Sequence, residues 1–254
     1  MRQAHQFKVK IVQLSAAAAI LGNWYYQTGP GEVSPLILPP IPKMVKELLH
    51  FFGTSELYSA ILVTFKEVFI ALALATIIGL AVGFIGARSA IRSQVFEPIL
   101  VWIYQVPMIL FYPLFLLWLG FGSSSKIGYA AVSTFFPIAF NSLRAFSSVD
   151  PKYVQMGRAF GASPKQLDLS IKFRAGLPLA AAGIRIGTAV CMVTVIVAEM
   201  LGSSEGLGYM VHYYAESYNA AKMYASIVIV LMMVGLFYSV VKKLLRENNR
   251  AQKH

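Results

Sequence analysis

Five stretches of this chain run without a single Asp, Glu, Lys or Arg. They cover 21 residues between Lys10 and Glu32, 20 between Glu67 and Arg88, 28 between Glu97 and Lys126, 17 between Lys126 and Arg144, and 19 between Lys222 and Lys242. A helix needs about 20 mostly apolar residues to cross a hydrocarbon core of ~30 Å. A sixth apolar region, Leu177 to Met200, is interrupted by Arg185 and Glu199 near its ends, where a long cation can reach the surface. Charged residues are 13% of the 254 and hydrophobic residues 57%, whereas a soluble domain carries about 25% charged residues. The expected fold class is therefore an all-α integral membrane protein with six transmembrane helices. The spans are expected at about 9–27, 58–87, 98–121, 126–144, 177–200 and 222–242, in one membrane domain covering 1–254.

Arg2, Lys8 and Lys10 before the first apolar run also fit a signal peptide. Trp24, Tyr25 and Tyr26 instead close the run like an interfacial aromatic belt, with no small-x-small cleavage site after them. It is read as a span. With the N-terminus inside, seventeen of the 22 Lys and Arg fall on the cytoplasmic side. Five fall outside: Lys43, Lys46, Lys66, Lys126 and Lys222. This positive-inside bias puts both termini in the cytoplasm. The single Cys, Cys191, excludes an intrachain disulfide framework and a Cys-rich zinc site. His5, His50, His212 and His254 stand at no metal-ligand spacing, so no metal site is expected. No G-x-x-x-x-G-K-[ST] phosphate loop is present, nor any convergent catalytic set. The chain is expected not to be an enzyme and to bind no nucleic acid.

Two stretches are too long to be simple turns. Residues 28–56, on the external side, hold a Pro/Gly-rich linker and then an amphipathic segment, Lys43 to Phe52, read as a helix lying on membrane lipid, with contact to a soluble partner as the alternative. Residues 145–176 carry dense helix punctuation. Asp150-Pro151 is an N-cap followed by Pro at the first helical position. Gly161 is placed to end that helix, and Ser163 with Gln166 forms a capping box that starts another. Two capped helices hinged at Gly161-Ala162 predict a rigid surface presented to a cytoplasmic partner.

Those residues resemble a motif of bacterial ATP-binding-cassette (ABC) importer permeases: Glu-Ala-Ala, three residues, Gly, nine residues, Ile-x-Leu-Pro. Here Gln155-Met156-Gly157 stands in the first position, Gly161 in the second and Ile171 in the third, with Phe173 and Arg174 in place of Leu and Pro. The segment Gly183 to Gly187, the run Ala198 to Tyr209, Pro107 through Gly122, Ser125-Lys126 and Phe135 to Pro137 resemble the branch that imports nitrate, taurine, alkanesulfonates, bicarbonate and thiamine precursors. The resemblance covers roughly residues 30–245. Gln155 departs from the family's acid, though an amide still hydrogen-bonds. Arg174 departs from a helix-breaking Pro, so the second helix is free to run on.

The resemblance implies a type I ABC importer permease fold with a two-helix cytoplasmic coupling element. It implies a second permease copy, expected as a homodimer, two cytoplasmic ABC ATPases, and a periplasmic or lipid-anchored substrate-binding protein. The cell location is the bacterial inner (plasma) membrane. ATP and Mg belong to the partner ATPase, and no cofactor is expected in this chain. The implied coupling residues are Tyr153, Val154, Gln155, Met156, Gly157, Arg158, Ala159, Phe160, Gly161, Ala162, Ser163 and Ile171.

Pro107, Asn141, Arg144, Glu199, Gly202, Ser203 and Ser204 are candidates for the pore or gate. Pro107 breaks a span and frees backbone groups that a cavity tolerates. Asn141 and Arg144 end a span. Glu199 either lines the path or braces the Gly202–Gly208 turn, and bracing is preferred because an anion path gains nothing from an acid. The expected substrate is a small organic anion such as a sulfonate, or nitrate; the alternative is a pyrimidine resembling a thiamine precursor. A stand-alone secondary transporter is the competing class, but the halves show no repeat and the spans show no buried acid–base chain.

Overall fold

In the computed structural model, the structure describes residues 2–251, with side chains for 11–245. The terminal charges counted above (Arg2, Lys8, Lys10, Arg246, Arg250 and Lys253), together with His5 and His254, lie outside those side chains. Every regular element described is helical. The order is α1 (Arg2–Thr28), α2 (Ile41–Phe51), α3 (Ser55–Gly86), α4 (Ala90–Tyr104), a 3-10 turn (Met108–Phe111), α5 (Tyr112–Leu119), α6 (Ser123–Ser147), α7 (Pro151–Ala159), α8 (Pro164–Gln166), a π segment (Leu167–Phe173), α9 (Arg174–Gly202), α10 (Leu207–Glu216) and α11 (Ala220–Ala251).

Among the described residues, three helices are long and apolar enough to cross a membrane: Ser55–Gly86, the continuous Pro164–Gly202, and Ala220–Leu245. A fourth arises if α4 and the Met108–Leu119 pair, bent by 74°, make one broken span. The break falls at Pro107, which stands extended before the 3-10 turn. Pro107 lacks the N–H that would continue the helix.

The chain divides into two compact units, Met1–Ser59 with Met210–Leu231, and Ala60–Tyr209 with Met232–His254. In the first, α1 is exposed at every residue from 11 to 23. A helix apolar on all sides is suited to lipid or to a partner. Trp24 Nε1 donates to the Pro39 carbonyl at 2.9 Å and its ring meets Tyr224 edge-on at 5.3 Å. Within α2, Met44 and Phe51 are buried, and Phe51 packs on Tyr214. Tyr214 donates to Glu56 at 3.3 Å; burial first, and then the Glu56 carboxylate, push its phenol up to about 12, so it stays a donor at neutral pH. His212 pairs with Glu216 one turn on, at 3.2 Å.

The second unit is organised around α6, whose most extensive partner is α9. Close approach comes from small residues. A Cβ on Gly183 would meet Asn141 at 2.7 Å, and one on Gly187 would meet Ile138 at 2.6 Å. On the α3 side, Gly79 stands equally close to Ile138, Gly83 to Ser142 and Leu143, and Gly86 to Leu143. Two glycine faces thus grip one helix. The burial explains the composition of α6. Its buried residues include Ser125, Lys126, Ser133, Thr134 and Ser142, because a helix wrapped by protein need not be apolar to suit lipid. That polarity keeps α6 out of the apolar set despite its 25 residues.

Overfilling these contacts is expected to destabilise the unit. Gly183→Val or Gly187→Val should each cost about 1–3 kcal/mol, read as a lowered melting temperature in detergent. Gly235→Val, where a Cβ meets nothing within 4 Å, should change it little.

Candidate functional site

Two sites stand out, both in the second unit. The first is the hairpin between α6 and α9. Asp150 Oδ1 accepts from the Lys152 N–H at 2.9 Å, and Pro151 opens α7. Gly161 adopts φ +77, a left-handed conformation that side chains disfavour. Beside it the Ala162 N–H closes back on the Gly157 carbonyl at 2.9 Å. The Ser163 N–H donates to Gln166 Oε1 at 2.8 Å, and the Gln166 N–H returns to Ser163 Oγ at 3.4 Å. Both expected caps are thus present.

The second helix is not short, however. It continues through the π segment into α9 as one 39-residue helix, Pro164–Gly202. Arg174 retains the backbone N–H that a Pro would lack, so nothing breaks the helix there. The hairpin is one short helix folded against the start of a long one, in keeping with a second helix free to run on past Arg174. The contact that folds it is Gly157, buried beneath Leu167 and Ile171. A π segment holds an extra residue per turn and is frequent at functional positions.

On the other face of α7, Tyr153, Met156 and Phe160 are exposed at 56%, 58% and 86%. Their i, i+3, i+7 spacing puts them on one stripe. Gln155, Arg158 and Ala159 are exposed around it, and Val154 and Ala162 are half-buried. The hairpin is therefore a stiff platform with an apolar strip on its free side.

The second site is the turn after α9. Glu199 is fully buried and accepts from Thr64 Oγ1 at 2.7 Å and from the Gly208 N–H at 2.7 Å. Thr64 Oγ1 in turn accepts from the Leu207 N–H at 2.9 Å. Gly206, at φ +104, and Gly208 leave the space that the carboxylate fills. Lys126, also fully buried, lies 2.7 Å from Glu67 Oε1 and donates to Ser203 Oγ at 2.8 Å. Ser203 Oγ donates to the Glu205 carbonyl at 2.7 Å. Tyr112 donates to the Ala198 carbonyl at 3.0 Å, and its hydroxyl sits against Gly202. Two buried acids and one buried cation thus knot α3, α6, α9 and the start of α10 together.

This knot corrects two expectations. Lys126 is not a solvent-facing charge, and the spans do contain a buried acid–base pair. Glu67 and Lys126 escaped because each interrupts an apolar run, where a charge reads as a span boundary. The one available signal was their setting, a lone charge between long uncharged stretches. Glu199 is a brace, since its oxygens are taken up by Thr64 and the Gly208 N–H. Among the other pore candidates, Ser203 belongs to the knot and Ser204 beside it is exposed. Asn141 Nδ2 donates to the Pro137 carbonyl at 2.7 Å. Arg144 pairs with Glu97 at 2.7 Å, tying α6 to α4. Pro107, Asn141 and Arg144 are not drawn together with the Glu199 group.

The chain belongs to the family of binding-protein-dependent transport system inner membrane components, whose model matches residues 75–250. It is 29% identical over 230 residues to a Bacillus subtilis (strain 168) protein named as an aliphatic sulfonates transport permease, covering 91% of this chain and 83% of that one. It is 26% identical over 230 residues to the taurine transport system permease protein of Escherichia coli (strain K12), covering 89% and 84%. The inward-facing methionine ABC transporter shares its fold at a TM-score of 0.65 and 21% identity, over 75% of this chain and 95% of that one. The chain is thus a multi-pass inner-membrane permease, the non-catalytic membrane component of a binding-protein-dependent ABC importer. Membership implies ATPase and binding-protein partners.

The knot makes a sharp prediction. Lys126→Met leaves Glu67 as an unpaired buried charge and should cost about 3–5 kcal/mol. Glu67→Gln with Lys126→Met should recover much of it. Thermal unfolding of the purified variants in one detergent reads both, and equal losses in single and double variants would refute the pairing.

Proposed function

We propose that two copies of this chain form one translocation pore, each contributing six spans from a single membrane domain over 1–254, with both termini in the cytoplasm. In this reading α1 and α6 supply the two spans that are not among the long apolar helices. The α6–α9 hairpin faces the cytoplasm and seats in a groove of the ATPase. The observation that carries the reading is the Tyr153–Met156–Phe160 stripe, an unpartnered apolar strip on a platform made rigid by both caps. Aromatic and Met side chains are the usual anchors of such contacts. Gly157 holds the platform on Ile171, and Gly161 with Ala162 and Ser163 sets its angle.

ATP and Mg are bound by the partner ATPase, and this chain carries no cofactor. Closure of the ATPases displaces the hairpin as a rigid body, and the pore alternates between two states with different contacts. The transported solute is a small organic anion such as a sulfonate, or nitrate, with a thiamine-precursor-like pyrimidine as the alternative; the sulfonate and taurine names of the relatives support the anion. A carboxylate whose oxygens are occupied by Thr64 and the Gly208 N–H is compatible with an anion.

Phe160→Glu and Gly161→Val should each reduce recovery of the ATPase with the permease about five- to 150-fold, since a buried charge or a strained hinge costs about 1–3 kcal/mol. Melting of the permease alone should be unchanged for Phe160→Glu, whose position is exposed, and lowered for Gly161→Val, which strains a left-handed backbone. Gln155→Glu should be tolerated. Native mass spectrometry of the co-expressed chains reads all three. Uptake of labelled taurine, an alkanesulfonate, nitrate or a formylaminopyrimidine into proteoliposomes holding the full importer then decides the solute. Uptake of the pyrimidine alone would overturn the anion reading.

A further inference from the structure

The hairpin has a second connection into the bundle, separate from its continuity with α9. Asp168, in the π segment, reaches Arg88 just beyond the end of α3, with Arg88 Nε 3.3 Å from Oδ2. Lys172, one turn on, holds the other oxygen at 3.5 Å. Beneath this pair lies an aromatic box. Phe84 of α3 meets Phe146 of α6 at 5.2 Å and Phe173 of the π segment at 5.3 Å, both edge-on, while Phe146 and Phe173 stack at 5.4 Å. The Arg88 guanidinium lies 5.5 Å from the Phe84 ring centre. Gly176 lets Phe146 lie against the helix backbone.

Among the described residues, Arg88–Asp168 is the one ion pair between the α3 end and the hairpin. Helix α3 has no backbone link to the hairpin, yet it carries Thr64 and Glu67 of the knot. From Glu67 to Arg88 the helical rise is about 30 Å, and a helix transmits displacement along its axis with little compression. We propose that Arg88 and Asp168, seated on the Phe84–Phe146–Phe173 box, are positioning residues that join the ATPase-facing hairpin to α3, so that hairpin movement reaches the Glu67–Lys126–Glu199 knot and its turn through α3. This rests on the importer reading above. Arg88 is 44% exposed and Asp168 25%, so the pair adds little to stability. Its role is to fix which way α3 moves, and breaking it leaves the fold standing.

The experiment uses the whole permease–ATPase complex in nanodiscs. Cys191 is fully buried, so Ser204→Cys places the reactive thiol on the exposed turn. Its labelling by a maleimide is compared between nucleotide-free and ATP–vanadate-trapped complex. The unmodified pair should give a clear difference in rate. Arg88→Gln or Asp168→Asn should shrink that difference about threefold, the scale of one exposed ion pair, with the ATPase still bound. The exchange Arg88→Asp with Asp168→Arg should restore it, which a general structural defect would not allow. The joint is overturned if the single variants keep the full difference, if the exchange fails to restore it, or if the turn shows no nucleotide response with the original pair. Failure of the unmodified chain to bind the ATPase in the same nanodiscs would instead overturn the importer reading, and the joint with it.

Discussion

The Glu67–Lys126 contact is the constraint on which the second unit depends. Two full charges with no exposure sit 2.7 Å apart, and each alone would be very costly to keep out of water. They are tolerable only while α3 and α6 stay in register. The glycine faces of α3 and α9 bring the backbones close enough for that, and Ser203 Oγ accepts a hydrogen bond from Lys126 Nζ. Replacing such a pair by apolar side chains is often neutral or stabilising, so its presence argues for specificity of arrangement over raw stability. A slide or turn of α3 against α6 would separate the charges, and the packing would lose its unique register.

Glu199 works by the same logic beside that pair. Its two oxygens accept from Thr64 and the Gly208 N–H, which ties the end of α9 to α3 and to the first turn of α10. The turn is thereby held by side chains from several helices, not by its own backbone alone. At the opposite end of α3 the hairpin is equally over-determined, by two caps, the Gly157 contact and the aromatic box. The unit therefore carries stiff structures at both ends of its longest described connections, as a rigid-body switch requires.

Much of this was legible in order along the chain. Helix caps are local, since Asp150, Gly161, Ser163 and Gln166 act on backbone groups within a few residues, and the motif around Gln155, Gly161 and Ile171 carried the family. Spans such as Ser55–Gly86 follow from long, mostly apolar runs, here broken by Lys66 and Glu67, because the hydrocarbon core demands about 20 mostly apolar residues. Helix α6 was legible only as a short uncharged interval. Its polar residues face protein, and a sequence does not show what a helix will face. The π segment at Leu167–Phe173 was likewise silent, as one extra residue per turn leaves no mark in composition.

The sequence by itself therefore determined the helical membrane class, the hairpin's caps and the family, because apolar run length and capping depend on neighbours in the chain. Only the tertiary structure decided the fate of the charges. Glu67 and Lys126 are separated by 59 positions and Thr64 and Glu199 by 135, and Arg88 finds Asp168 across a similar gap. Whether a charge marks a helix end or a buried pair depends on whether an opposite charge or donor arrives from another helix, and that is settled by packing.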